Sequence, residues 1–345
     1  MSSKWISEER ATPFETPFAG PDPALFGRRQ RRPRGARIPV TILTGFLGAG
    51  KTTLLRSLLA TPEGANTAIV VNEYGEVAID DALLRASSDA TVLLGNGCLC
   101  CAVRSDLAQT LGALFADRAR GAVPSFARIV IETSGLADPG PVLQTFAGDR
   151  ALGEHFHLQA LVTAVDAPGG AGNLARAPEA RHQVALADRI VLTKTDLADG
   201  TAIAALEASV RALTAAPIGI ARSGVIAPSF LLDEPRDLPA RAMPHHHPHA
   251  HSDGIESFAV FFDAPLAWGV FEQAMAVLTA LRGSDLLRVK GLVAIAGCRG
   301  PIVVNAVQHV AHRPIELEDW PDDDRRSRLV FITRNLARAP VEQLF

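Results

Sequence analysis

Gly45-Phe46-Leu47-Gly48-Ala49-Gly50-Lys51-Thr52 combines three residue types that phosphate chemistry needs. The glycines Gly45, Gly48 and Gly50, with the small Ala49, let successive backbone N–H groups turn inward around anionic oxygens. Lys51 supplies a compact positive charge, and the Thr52 hydroxyl is a hard oxygen donor suited to Mg²⁺. Thr53 follows in what reads as the first turn of a helix, whose N-terminal dipole end favours anions. The run IPVTILT before it reads as a strand, so the G-x-x-x-x-G-K-[ST] spacing lies in the strand–loop–helix context that makes it a nucleoside-triphosphate cradle. Lysine is scarce in this chain: Lys4, Lys51, Lys194 and Lys290 are four among 34 basic residues. A lysine is therefore informative, because its point charge is not interchangeable with a planar guanidinium.

Two further segments extend the site. Thr193-Lys194-Thr195-Asp196 follows the apolar run RIVL and resembles the guanine-reading pattern N-K-x-D, with Thr193 in place of Asn. An aspartate there accepts from the guanine N1–H and the exocyclic amine, and Lys194 lies along the base. Ile129-Val130-Ile131-Glu132-Thr133-Ser134-Gly135 is an apolar strand ending in an acid with a glycine three residues on. Glu132 is expected beside the Mg²⁺ water shell and the Gly135 N–H opposite the γ-phosphate. Lys51, Thr52 and Glu132 are thus the expected catalytic group. Gly45, Gly48, Ala49, Gly50, Lys51, Thr52, Thr53, Gly135, Lys194 and Asp196 are the expected binders of GTP or GDP. Asp166, at the end of LQALVTAVD, is expected to support the nucleotide or a switch segment rather than act directly.

Cys98, Cys100 and Cys101 fall within four residues, just after the run TVLLGN. Thiolates so clustered suit Zn²⁺, Cu(I) and, less strongly, Co²⁺. No second cysteine pair closes a four-sulfur shell, and an incomplete shell is what a carrier needs, with Glu76 the best further ligand. The alternatives are structural cysteines or a redox pair. Cys298 stands alone and reads as a buried small residue. His245, His246, His247, His249 and His251 lie within seven residues; such a tract binds metal loosely or is an incidental part of a polar linker. The remaining histidines, His182 among them, read as surface or core.

The elements needed to position these residues are legible. From Ile38, short β-rich runs alternate with helical stretches, without strict two-residue alternation. That predicts an α/β fold, a mostly parallel sheet buried on both faces and flanked by helices. The expected organisation is a basic, disordered extension over 1–37, a nucleotide-binding domain over 38–223, a Pro/His-rich linker over 224–254, and a small α+β domain over 255–345. In that last domain WGVFEQAMAVLTALR reads as a helix with Val270, Phe271, Ala274, Leu278 and Leu281 on one face, and PIVVNAVQHVAHRPIEL as one strand. A net charge of −3 gives no electrostatic argument for nucleic acid. No run is long and apolar enough to span a bilayer, and MSSKWISEER lacks the apolar core of a secretory signal, so a cytoplasmic location is expected.

Taken together, TGFLGAGKTTLL, VVNEYGEVAIDDALL, LGNGCLCC, IVIETSGLADPGP, VLTKTDL and LLRVKGLVAIAG resemble, in order, the CobW-type GTPases, relatives of the nickel-insertion GTPases of urease and hydrogenase maturation. The resemblance covers about residues 38 to 335. It implies a P-loop GTPase domain, a C-terminal CobW domain, and a role in supplying or sensing a transition metal. It also implies that the segment matching 71–81 is a switch beside the nucleotide. Val71 stands where the family often has glutamate, which removes one candidate carboxylate and leaves Glu73, Glu76 and Asp80. The function expected is a Mg²⁺-dependent GTPase acting as a metallochaperone, which couples the nucleotide cycle to delivery of zinc or cobalt to a client metalloprotein. A homo-oligomer is compatible with it. The alternative is a regulatory protein whose nucleotide state controls partner binding, with structural cysteines.

Overall fold

The computed structural model describes residues 37–72, 93–95, 104–233, 254–311 and 314–345. The N-terminal extension, Glu73, Glu76, Asp80, Cys98, Cys100, Cys101 and the histidine tract lie outside the described residues.

The apolar runs form a seven-stranded sheet from β1 (Ile38–Gly45), β2 (Thr67–Asn72), β3 (Leu93–Gly95), β4 (Arg128–Thr133), β5 (Phe156–Asp166), β6 (Arg189–Thr193) and β7 (Ile218–Ile220). Their spatial order is β3-β2-β4-β1-β5-β6-β7, and every pairing is parallel. All C-terminal strand ends therefore gather at one edge, where open α/β sheets bind ligands. One face is covered by Leu54, Leu55 and Leu58 of helix Lys51–Leu59. The other is covered by Leu107, Leu111 and Leu114 of helix Arg104–Arg120 and by Leu143 and Phe146 of helix Gly140–Gly148. With side chains fully buried on both faces, alternation has nothing to select for, which is why the strands read as continuous apolar runs.

Residues 228–232, within the segment read from composition as linker, form a helix packed on the first sheet. Leu231 and Leu232 are buried. The Thr41 hydroxyl approaches the Leu231 carbonyl at 3.5 Å, and Arg189 donates to the Phe230 carbonyl at 2.8 Å. Pro228 opens this helix, where its missing N–H costs nothing.

The second sheet is antiparallel, with β8 (Ile255–Phe262), β9 (Leu286–Val293), β10 (Ile302–Val307), β11 (Val310–Ala311), β12 (Ile315–Glu316) and β13 (Ser327–Arg334). Its order is β11-β10-β9-β13-β8, with β12 on β10. The single strand expected over PIVVNAVQHVAHRPIEL is broken by a turn at Gln308, whose φ is 52°. Helix Trp268–Leu281 packs on this sheet, but its expected stripe shifts. Trp268, Phe271, Ala274, Met275 and Leu278 are buried, while Val270 and Leu281 are 42% and 75% exposed. The sheet's other face joins the core of the first domain through Ile255, Leu287, Val307 and Ile332.

Candidate nucleotide site

The loop between β1 and helix Lys51–Leu59 is held by close backbone approach. Gly45 has a φ of 144°, and a Cβ there would lie 2.3 Å from the Ala164 carbonyl oxygen of β5. Any side chain would push β1 from β5, so glycine is required. At the far end of the loop Gly50 enters the helix at a left-handed φ of 83°. The Lys51 ammonium folds over the loop, donating to the Gly45 carbonyl at 2.9 Å. It thus spans the concavity that phosphate oxygens would fill.

Thr52 and Glu132, 80 residues apart, meet because β4 is the parallel neighbour of β1. The Thr52 hydroxyl donates to Glu132 Oε1 at 3.1 Å, and Glu132 is buried. A hydroxyl and a carboxylate this close at a phosphate cradle form the hard-oxygen donor pair that Mg²⁺ prefers. The chain then turns through Ser134 and Gly135, and this glycine is again obligatory. A Cβ at Gly135 would lie 2.7 Å from the Leu47 amide nitrogen, so the loop after β4 rests directly on the phosphate loop.

The segment Thr193–Asp196 is joined to the phosphate loop by a hydrogen bond. Thr193 is buried and its hydroxyl donates to the Ala49 carbonyl at 2.8 Å. Thr193 therefore serves the loop, and Lys194 and Asp196 are the charged side chains of the segment. Lys194 adopts a left-handed φ of 52°. Asp196 accepts from the Ser223 amide at 3.3 Å, and the Thr195 hydroxyl donates to the Ala221 carbonyl at 3.0 Å. The loop Arg222–Gly224 after β7 thus forms one wall of this corner. It closes on the cradle, since a Cβ on Gly224 would meet Thr53 Cγ2 at 2.6 Å. Sequence reasoning missed that loop; its signal was a Ser-Gly pair directly after the last strand of a parallel sheet. Asp166 closes its own turn instead, accepting from the Gly169 amide at 3.0 Å.

Gln183 and Asp138 went unread, and His182 was read only as surface or core. His182 and Gln183, on helix Pro178–Ala185, reach the loop after Gly135, which carries Asp138. Gln183 donates to the Gly135 and Ala137 carbonyls at 3.1 and 3.0 Å. His182 Nδ1 lies 3.2 Å from Asp138 Oδ1, which also accepts from the Gly140 amide at 2.8 Å. Burial lowers the His182 pKa from its usual 6.5; Asp138 opposes the shift and the Arg334 charge adds to it. No local pattern marks these residues, because their partners lie more than 40 positions away.

Among the described residues no group of three or more His, Cys, Asp or Glu side chains could hold a metal ion. No helix there is long and apolar enough to cross a membrane. Cys298 is partly buried, and burial raises its thiol pKa, with Glu316 adding to the shift.

A parallel sheet carrying a loop of this form at one edge, with Thr52 meeting Glu132 beside it, is the P-loop GTPase fold. Residues 39–218 match the CobW/HypB/UreG nucleotide-binding domain, and residues 255–345 match the cobalamin synthesis protein cobW C-terminal domain; the chain belongs to this family. It is 34% identical over 313 residues to the zinc chaperone YjiA of Escherichia coli, spanning 89% of this chain and 98% of that protein. It is also 34% identical over 350 residues to the zinc chaperone CobW of Pseudomonas aeruginosa, spanning 89% and 90%. The crystal structure of the Zn(II)-bound YjiA GTPase from E. coli superposes with a TM-score of 0.71 at 30% identity, covering 90% of this chain and 98% of that one.

Proposed function

We propose that this GTPase is a cytoplasmic metallochaperone that takes up zinc at Cys98, Cys100 and Cys101, with Glu76 completing the set, and releases it to a client metalloprotein on GTP hydrolysis. The observation that carries the reading is the adjacency of strand ends. β2 and β3 are parallel neighbours whose pairing ends at Val71 and Gly95, and Val71 is in register with Glu132 on the other side. The chain toward Glu76 leaves β2, and the chain toward Cys98 leaves β3, at the edge where Thr52 meets Glu132. Thiolates favour zinc, the metal named for the relatives from E. coli and P. aeruginosa; cobalt remains within the same donor chemistry.

In this reading Lys51 neutralises charge on the β- and γ-phosphates, and the Gly135 amide faces the γ-phosphate. The Thr52 hydroxyl would hold Mg²⁺, with Glu132 beside its water shell, and the ion would supply positive charge between those phosphates. Loss of the γ-phosphate releases the neighbouring loops, the usual response of such switches. Linkage then requires GTP and metal to change each other's affinity by one factor, about 5- to 150-fold.

The test is the zinc dissociation constant with GDP and with a non-hydrolysable GTP analogue. Tighter binding with the analogue is expected, together with loss of that difference in Cys100→Ser and Cys101→Ser while GTP binding persists. Replacing His245, His246, His247, His249 and His251 by serine is expected to leave the tightest site intact. Equal constants in both nucleotide states would favour the regulatory reading with structural cysteines.

A further inference from the structure

We propose that Gln183 is a positioning residue for GTP hydrolysis, holding the Gly135 loop in the arrangement that receives the γ-phosphate. The proposal rests on the γ-phosphate role of the Gly135 amide. Gln183 is 1% exposed, and its amide nitrogen donates to both the Gly135 and Ala137 carbonyls. Both partners are carbonyl oxygens, so the orientation of the amide is settled by chemistry: only the NH₂ end can serve them.

The anchor itself is rigid. The Gln183 backbone carbonyl accepts from the Thr163 hydroxyl of β5 at 2.8 Å, which ties helix Pro178–Ala185 to the central sheet. The loop is also narrow. The Ala137 amide donates to the Ser134 carbonyl at 3.1 Å, and Gly135 is wedged against the Leu47 backbone. Gln183 therefore presses the far side of a turn whose near side rests on the phosphate loop. Its neighbour His182 meets Asp138, the carboxylate that also accepts from the Gly140 amide, so two consecutive side chains secure both ends of one loop.

A loop that must move when the γ-phosphate leaves is held only by contacts it can surrender. Two neutral hydrogen bonds to backbone carbonyls, each of modest net strength, are contacts of that kind. They act on the GTP-bound and transition states, where Gly135 has a partner. GDP offers that loop nothing to bind. Loss of the Gln183 donors should therefore separate GTP from GDP, which the loss of a purely architectural residue would not do.

The experiment compares wild type, Gln183→Met and Gln183→Glu for kcat, for affinity to a non-hydrolysable GTP analogue, and for GDP affinity. Gln183→Met keeps the length and removes the donors. We expect kcat to fall about 10- to 100-fold, in line with the cost of a displaced catalytic group. Affinity for the analogue is expected to fall with it, and GDP affinity to stay within about two-fold. Gln183→Glu adds a signature. A buried carboxyl has a raised pKa, and its protonated form regains one donor. Its activity relative to wild type is therefore expected to climb as pH falls.

Parallel losses in GDP and analogue affinity, or an unchanged kcat, would overturn the proposal. If Gln183→Met does not fold, the Gln183→Glu profile decides, and a loss independent of pH counts against it. Hydrogen exchange of the Gly135 amide in wild type separates the role of Gln183 from the role of Gly135. Exchange no slower with the analogue than with GDP would remove the γ-phosphate role of Gly135 and the proposal together. Slower exchange with the analogue beside a fully active Gln183→Met would remove the role of Gln183 alone.

Discussion

Arg288 of the second sheet reaches Asp188 of the first domain, Nη2 to Oδ2, at 3.1 Å, with both side chains buried. Lys290 pairs with the other carboxylate oxygen, and the Leu161 amide donates to Oδ2 at 2.8 Å. Burial works against the Asp188 charge, but Arg288, Lys290 and these hydrogen bonds outweigh it and hold the pKa at about 2 rather than 3.8. A depressed carboxylate contributes stability that is present above pH 3.8 and lost as pH falls toward 2. The size is about 2 kcal/mol. Asp188→Asn is expected to flatten that acid limb in denaturant melts. Arg288→Met removes one of the two cations on Asp188, leaving Lys290, and is expected to cost about 1–3 kcal/mol. A melt of Arg288→Met matching wild type would show that the pair does not hold the two sheets together.

Lys51→Ala removes the ammonium that lies over the phosphate loop. Hydrolysis is expected to fall at least about 100-fold, as when a transition-state donor is removed, with GTP binding weakened. Single-turnover assays on the purified variant decide it, and near-wild-type rates would refute the cradle's role.

Asp196 is expected to set the preference for guanine. Its carboxylate is presented at the base corner beside the Ser223 amide, while the Thr193 hydroxyl is committed to Ala49. Charge-assisted hydrogen bonds of about 1.5–3 kcal/mol correspond to a GTP-over-ATP preference of about ten- to hundred-fold. Asp196→Ala should narrow the gap in competition binding, and equal wild-type affinities would defeat the claim.

His182 carries a pKa lowered from 6.5, so the unfolded chain takes up its proton before the folded one. Stability is therefore expected to fall as pH drops through 6.5 toward the lower folded value. Urea midpoints measured from about pH 7.5 to about 5.5 should show this slope, and His182→Gln should reduce it. An identical slope in the variant would assign the effect to other groups.

The position of the phosphate loop, Thr52, Glu132, Gly135, Lys194 and Asp196 at one edge of the sheet was legible because each lies in a short motif at the C-terminal end of a strand. A parallel sheet brings such ends to one edge whatever the intervening lengths. The sheet itself was legible from apolar runs too continuous for a half-exposed surface. The exact helical stripe of Trp268–Leu281 was not, since Val270 and Leu281 are as apolar as the residues that pack.

The P-loop GTPase class and the parallel sheet were readable from residue order alone, because the glycine–lysine spacing and the apolar runs are local patterns. Only the tertiary structure decided that Thr193 serves Ala49, that Gln183 and His182 grip the loop after Gly135, and that the scarce Lys290 answers Asp188 rather than a nucleotide. Lys290 and Asp188 are 102 residues apart. A contact of that range depends on which faces of two sheets meet, and no local pattern of residue types encodes it.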